Sequence, residues 1–411
     1  MIARRVFLAV ALLWLSLAQL ASASQARIIR LSEVEGSVRV DRTAGSGMEP
    51  AILNMPVTQG MRITTGEDGR AEVEFENGST VRIAGPGEIF FPNLSLSEHG
   101  KKTSAIEVES GVAYFALRVD GSNRFTVVSQ GQQFQVPHSS RFRLQVENDR
   151  SQLAVFGGKV EYVSSKKIAV HNGHTLTFAA SEPDQAKVAK LIAPNPFDAW
   201  DQQEQQNESS YEDLSRYGTN SDTYAYGMSD LSAYGGYEYL PNWGWMWQPY
   251  GVGVGWNPFL NGAWSFYPAF GWTFIGAYPW AWTPYHSGQW FYIPGRGWFW
   301  QQGTTAAWYP TPSISNPPPN FLPPNPPLKP RGPTTLVRSG TPAPVPAQGI
   351  PSPSGGRLFI PGHATGLGAA HPGVTGPGPV THMPSAGANG GTHSGAPSAG
   401  HGGIGGAGGR R

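Results

Sequence analysis

The chain has 411 residues, among them 53 Gly and 37 Pro, with 14% charged residues, 12% aromatics and no Cys. Without cysteine there are no disulfides, no thiolate catalysis and no Cys-ligated zinc, and no apolar run of spanning length follows the first two dozen residues, which excludes a polytopic membrane protein. The net charge of +1 hides an asymmetry: Glu238 is the last acidic residue, and the first 238 residues hold 22 basic against 28 acidic groups.

Residues 1–23 read as a secretory signal peptide, with Arg4 and Arg5 as its positive start, Val6 to Leu20 as its apolar core and Ala21-Ser22-Ala23 as a small-residue cleavage motif. A core of about 15 residues is of signal length rather than spanning length. The expectation is an exported, periplasmic or extracellular protein of the bacterial envelope with no integral membrane span once the signal is removed.

Residues 27–178 alternate polar and apolar positions, as in Glu33 to Val40 and Arg70 to Glu76. This period of two predicts strands with one face on a core and the other in water. Gly66-Glu67-Asp68-Gly69, Asn77-Gly78, Asp120-Gly121, Gly157-Gly158 and Asn172-Gly173 supply the turns between them. A β-sandwich or β-solenoid module is expected.

The residues of this module resemble the FecR domain. The resemblance is carried by Thr58-Gln59-Gly60-Met61-Arg62-Ile63-Thr64-Thr65-Gly66, Arg70-Ala71-Glu72-Val73, and Asn77-Gly78-Ser79-Thr80-Val81-Arg82-Ile83. Ser110 to Phe115, Phe125-Thr126-Val127, Phe156 to Val163 and His171 to Leu176 follow the same pattern. Met61 stands where the family has an acidic residue, Asn77 where it has Asp, and Ser139-Ser140 where it has Gly-Thr. The resemblance implies an exported β module of the kind found in the periplasmic part of ferric-citrate-type signalling regulators, and it brings no catalytic residue.

Residues 181–233 are expected as a polar helical linker and loop. Ser181 is placed to cap a helix over Gln185 to Ile192, Pro194 and Pro196 end it, and a second polar helix runs from Asp198 to Tyr217 with Trp200 and Leu214 as its few anchors. An extended loop is expected from Thr219 to Gly236.

Residues 234–309 contain 27 aromatics, 12 of them among the 14 tryptophans, and only two formal charges, Glu238 and Arg296. Trp264, Trp282 and Trp300 are 18 residues apart, as are Trp272, Trp290 and Trp308, and Trp280 and Trp298. Gly and Pro divide the segment into short runs, so stacked β-hairpins are expected. A lone hairpin covers only one of its faces, so such units fold together. Trp264, Trp272, Trp280, Trp282, Trp290 and Trp298 are the candidate ligand-binding residues, as stacking platforms, against the plainer reading that they are core with indole N–H groups bonded to carbonyls. Phe197 to Trp200, Asp230 to Gly235, Trp247 to Tyr250 and Pro279 to Trp290 resemble an uncharacterised family of exported bacterial proteins that carry a FecR domain followed by Trp/Tyr/Gly repeats.

Residues 310–411 hold 22 Pro and 22 Gly and no Trp, Tyr, Asp or Glu, which predicts a disordered Pro/Gly-rich tail. Other motifs fail on context. Gly403 to Gly408 matches a dinucleotide-binding spacing without a strand before it or a helix after it. Ser164 to Lys167 lacks companion motifs, and His171 and His174 flank a turn without carboxylates. With one carboxylate in the aromatic segment, glycoside hydrolysis there is disfavoured. The expectation is therefore a mainly β, non-catalytic envelope protein without metal or cofactor that binds or scaffolds an envelope protein or glycan and no nucleic acid. Cell-wall polysaccharide binding by the Trp-rich repeat and signal sensing by analogy with FecR regulators are the alternatives.

Overall fold

The alternation of the first half becomes sixteen strands joined in one hydrogen-bonded sheet. This computed structural model describes residues 27, 29–43, 45, 47–97, 99–216, 227–267, 270–303, 308–327 and 336–338, all in the first of the two units into which the chain divides, Met1–Gly366. β1 (Ile29–Glu35), β2 (Val38–Asp41), β3 (Glu49–Pro50), β4 (Pro56–Val57), β5 (Arg62–Thr65) and β6 (Arg70–Glu74) precede a long hairpin of β7 (Thr80–Leu96) and β8 (Lys102–Leu117). After it come β9 (Asn123–Ser129), β10 (Gln132–Val136), β11 (Ser140–Glu147), β12 (Arg150–Gly157), β13 (Lys159–Val163), β14 (Lys167–His171), β15 (His174–Ala179) and β16 (Glu182–Ala189).

The hairpin organises the sheet. The first half of β8 pairs in parallel with β9, from Lys102↔Asn123 to Glu107↔Val128, and its second half pairs antiparallel with β11. β7 likewise gives Thr80 to Ala84 to β6 and Gly87 to Phe90 to β5. The switch falls where the β7–β8 register breaks, between Ala84 and Glu88. Only bare backbone fits there: a Cβ on Gly85 would lie 1.7 Å from the Gly66 carbonyl oxygen, and one on Gly111, at φ 83°, would lie 2.3 Å from that of Pro86.

One face of the sheet is the expected apolar core, with Ile63, Val73, Val81, Phe115, Phe142, Leu144 and Val155 among its fully buried members. The other face departs from expectation. Arg30, Glu72, Glu74 and Arg82 alternate with those core residues and were expected in water, yet each is at most 2% exposed. Helices and the aromatic segment cover them.

The linker reads differently as well. Residues 182–189, expected as helix, form β16 and pair with β15 from Ala179↔Glu182 to Thr175↔Ala189. An isolated helix this short is marginal in water, and the open backbone edge of β15 offers its peptide groups defined partners. The second expected helix is present as α1 (Asp198–Arg216). Of the expected loop, residues 219–226 lie outside the described residues, while Met228–Tyr234 is a helix, α2.

The aromatic segment contains the expected hairpins: β17 (Gly235–Leu240) with β18 (Gly244–Pro249), β19 (Gly262–Tyr267) with β20 (Gly271–Gly276), and β21 (Gln289–Ile293) with β22 (Gly297–Gln301). They begin at residues 235, 262 and 289, so the hairpin period is 27 residues rather than the 18 of the tryptophans. Trp264 lies on β19, Trp282 opens a short helix, α3 (Trp282–His286), and Trp300 lies on β22. The equal sequence spacing feeds one core from non-equivalent places.

The expected tail contributes to this core before it leaves the described residues. In β23 (Ile314–Ser315) Ile314 pairs with Trp290, Phe321 packs on Phe259 and Trp298, and β24 (Leu336–Arg338) pairs with β19. The resulting sheets run β17-β18-β22-β21-β23 and β20-β19-β24.

Arg30 lies at the join, donating to Glu74 at 2.6 Å, Asp230 at 2.5 Å and Asn54 at 2.8 Å. Removing one partner of a buried ion pair leaves uncompensated charge. Arg30→Met is therefore expected to cost about 3–5 kcal/mol in denaturant unfolding, whereas Arg70→Met, at an exposed pair with Glu35, should cost under about 1 kcal/mol.

Candidate functional site

Two regions carry side-chain chemistry beyond core packing: the aromatic segment and the charged seam between sheet, helices and aromatic segment. Five of the six tryptophans singled out above, Trp264, Trp280, Trp282, Trp290 and Trp298, are buried. Trp272 is half-buried, across from Phe266 on the neighbouring strand, with ring centroids 5.6 Å apart. Trp247, Trp280, Trp256 and Trp290 form a chain of ring contacts at 5.1–6.1 Å, tilted or edge to face, the arrangement that ring quadrupoles favour. Three indole N–H groups reach carbonyls, as expected for core rings: Trp247 donates to Leu231, Trp290 to Pro284 and Trp300 to Ser287, at 2.8–2.9 Å, whereas the buried N–H of Trp264 has no acceptor.

The rings that do face solvent are others. Tyr239 and Trp245 sit opposite each other at the end of the β17–β18 hairpin, 62% and 58% exposed, with centroids 5.7 Å apart and planes at 74°. They continue the strand positions of Tyr237 and Trp247 past the rim of the core. Periodicity did not single them out, because Trp245 belongs to none of the 18-residue series. The adjoining turn, with Asn242 and Gly244 at positive φ, fixes the hairpin end. Across the hairpin tips Arg296 pairs with Glu238 at 2.6 Å in an exposed ion pair.

The charged seam has two centres. Around Arg30, Asn54 passes the contact on to the aromatic segment by donating to the carbonyls of Gly276 and Tyr278. Nearby, Arg42 binds Ser265 and lies over the Tyr267 ring at 4.8 Å. Around Arg82, whose guanidinium is 1% exposed, Glu72, Asp201 and Glu208 each approach to 2.8 Å. Burial opposes that charge, but the three carboxylates outweigh it and raise the Arg82 pKa. Arg141 also binds Asp201, while Arg143 and the Tyr114 hydroxyl both donate to Asp198. Burial works against the Asp198 charge, yet those donors hold its carboxyl below the ordinary range.

Glu88 and Glu109 share a hydrogen bond on the sheet beside Arg62, which raises Glu88 and lowers Glu109, but they stand on an open surface. Ser165, from the Ser164–Lys167 motif, donates to Asp184 at 2.6 Å as part of a turn. His174 bonds the Asn172 carbonyl, and among the described residues no three His, Asp or Glu side chains are placed to hold a metal. Gly403 to Gly408 and the tail histidines lie outside the described residues.

His286 is the one fully buried imidazole among these residues. It stacks on Trp308 at 4.8 Å, lies 4.6 Å from Trp282 and hydrogen-bonds the Tyr309 carbonyl through Nδ1 at 2.7 Å. Burial lowers its pKa to about 4, and the Arg30 charge adds to this against the Tyr309 carbonyl. Because the unfolded imidazole takes up its proton near 6.5, stability is present above that pH and is lost as pH falls toward about 4. Between pH 7 and 4 the wild type should lose about 3 kcal/mol more than His286→Gln, read from urea midpoints across that range.

Comparison with known proteins places these regions. Residues 61–161, from the residue before β5 into β13, match the FecR protein family, and residues 228–315, from the first residue of α2 to the last of β23, match a family of unknown function, DUF6600. No curated protein matches the chain. Two crystal structures of a protein described as a candidate anti-sigma factor, from Parabacteroides distasonis, are similar at 17% and 16% identity with TM-scores of 0.28. The likeness covers 32% of this chain and 60% of those, and at that score it carries no argument about function. The chain joins a FecR-like β module to an uncharacterised aromatic domain.

Proposed function

We propose that this is an exported envelope protein whose FecR-like module and aromatic domain act as one rigid, non-catalytic binding scaffold. The observation that supports it is the seam itself. Arg30 to Asp230, Arg42 to Ser265 and Asn54 to Gly276 and Tyr278 tie the β module to the aromatic domain. The exposed Tyr239–Trp245 pair is thereby held at a fixed place on the structure. Large rings left in water on a rigid hairpin are the kind of anchor that binding surfaces use.

Export agrees with the signal-like residues 1–23, and no helix among the described residues is long and apolar enough to cross a membrane. A non-catalytic role agrees with the seam carboxylates being neutralised by arginine and with the Glu88–Glu109 pair being held by Arg62 on the sheet surface. A polysaccharide as the bound partner is favoured by the same ring pair, since flat aromatic faces stack on sugars without needing charge.

The test uses the mature protein and a Tyr239→Ser/Trp245→Ser double variant. Both side chains are exposed, so stability should change by no more than about 1 kcal/mol. The wild type should retain an envelope protein from extracts, or shift its indole fluorescence on titration with cell-wall polysaccharide, and the double variant should lose that response about tenfold or more. Equal responses from the two proteins, or none from either, would remove the reading.

A further inference from the structure

The seat of α1 is unusual for a helix packed on a sheet, because over residues 198–210 its inward side chains are polar. The inward row of α1 is Asp201, Glu204 and Asn207, all buried, with Glu208 beside them and Asp198 at the first turn. These positions recur every three or four residues and so lie on one face. Within 198–210 no aliphatic side chain is buried, and Trp200 is half-buried at the rim, beneath the Arg70 guanidinium at 5.4 Å and edge-on to Tyr114 at 6.3 Å. The sheet answers with Arg82 from β7 and with Arg141 and Arg143 from β11, each paired to a carboxylate of α1.

Such a seat opens at modest cost. Separating an apolar interface exposes hydrocarbon, at about 25 cal/mol per Å². Separating a charged one returns each ion to water, and the hydration regained offsets most of the lost attraction. The face left behind would carry Arg82, still paired with Glu72, and Arg143 on either side of Tyr114, with Arg141 two residues along β11: three guanidiniums against one carboxylate, placed to take carboxylates from one face of a helix. What it recognises is set by charge spacing rather than by shape.

We propose that this arginine-lined face of β7 and β11 is an acceptor site for acidic helices, occupied in the resting protein by α1, and that an acidic helix of a partner protein takes it by displacing α1. The partner helix is defined by its chemistry: carboxylates three and four residues apart along one face, with an aromatic ring near its N-terminus to replace Trp200. This site is separate from the Tyr239–Trp245 pair and stands whether or not that pair binds a glycan or a protein.

The probe is a labelled synthetic peptide of residues 196–216, titrated onto the full mature protein. It should bind saturably, weaken about tenfold or more when it carries Asp201→Asn and Glu208→Gln, and weaken about tenfold between low and high salt. Placing the substitutions in the peptide leaves the fold of the protein untouched. Hydrogen exchange should speed up in α1 of the protein as peptide binds, with β8 and β11 unchanged. Absence of binding up to about millimolar peptide, equal binding of the neutralised peptide, or exchange in α1 only together with the sheet would overturn the proposal. So would protein dimers that the peptide dissociates, because the occupant would then be the α1 of a second copy.

Discussion

The two halves of this protein meet through a layer of buried charge, beside which Tyr267 and Ile275 of the aromatic segment join the apolar core of the β module. Arg30 and Arg82 are withdrawn from water on the outer face of the sheet, and the carboxylates that neutralise them come from β6, α1 and α2. A pair of ions removed from water regains little net energy, so this layer is weak as a source of stability. Its strength lies in selectivity. An arginine left without its carboxylates is far costlier than a misplaced methyl group, so the covering elements have one arrangement that neutralises every charge.

The aromatic domain uses the opposite chemistry for the same end. Its hairpins are too short to stand alone, and the rings of each fill space left by the others, through contacts such as Trp247 on Trp280 and Phe259 on Trp298. Rings pack densely here through tilted and edge-to-face contacts, and the indoles of Trp247, Trp290 and Trp300 keep a carbonyl acceptor for the N–H that loses water. Ile314 and Phe321, from a segment rich in proline, close the side of this core that the hairpins leave open. Proline suits that task, since an extended strap without free N–H groups can cross a sheet's side without unsatisfied donors. Where the β17–β18 hairpin outruns this packing, two facing rings, Tyr239 and Trp245, reach water.

Much of the architecture was legible in order of appearance along the chain. Alternation identified the strands of the β module, the Asn-Gly and Gly-Gly pairs located turns, and polar composition marked α1. The segment at 182–189 was misread because its residues favour neither state strongly, and a free strand edge of β15 decided the matter. The ring-bearing positions were recognised as a set, but spacing singled out six of them as binding candidates and five are core. The exposed pair, Tyr239 and Trp245, left no periodic trace, since what exposes it is the place where the packed core ends.

From the amino-acid sequence alone came the two modules, their β character, the turns, and the concentration of tryptophan into one folding unit, because alternation and composition are local properties that each short stretch carries by itself. Which faces are wet came only from the tertiary structure. The arginines and glutamates of β6 and β7 look like a solvent face when read strand by strand. They become an interior because another stretch of chain, more than a hundred residues away, carries carboxylates at matching intervals. Complementarity of that kind belongs to pairs of segments, and no single segment records it.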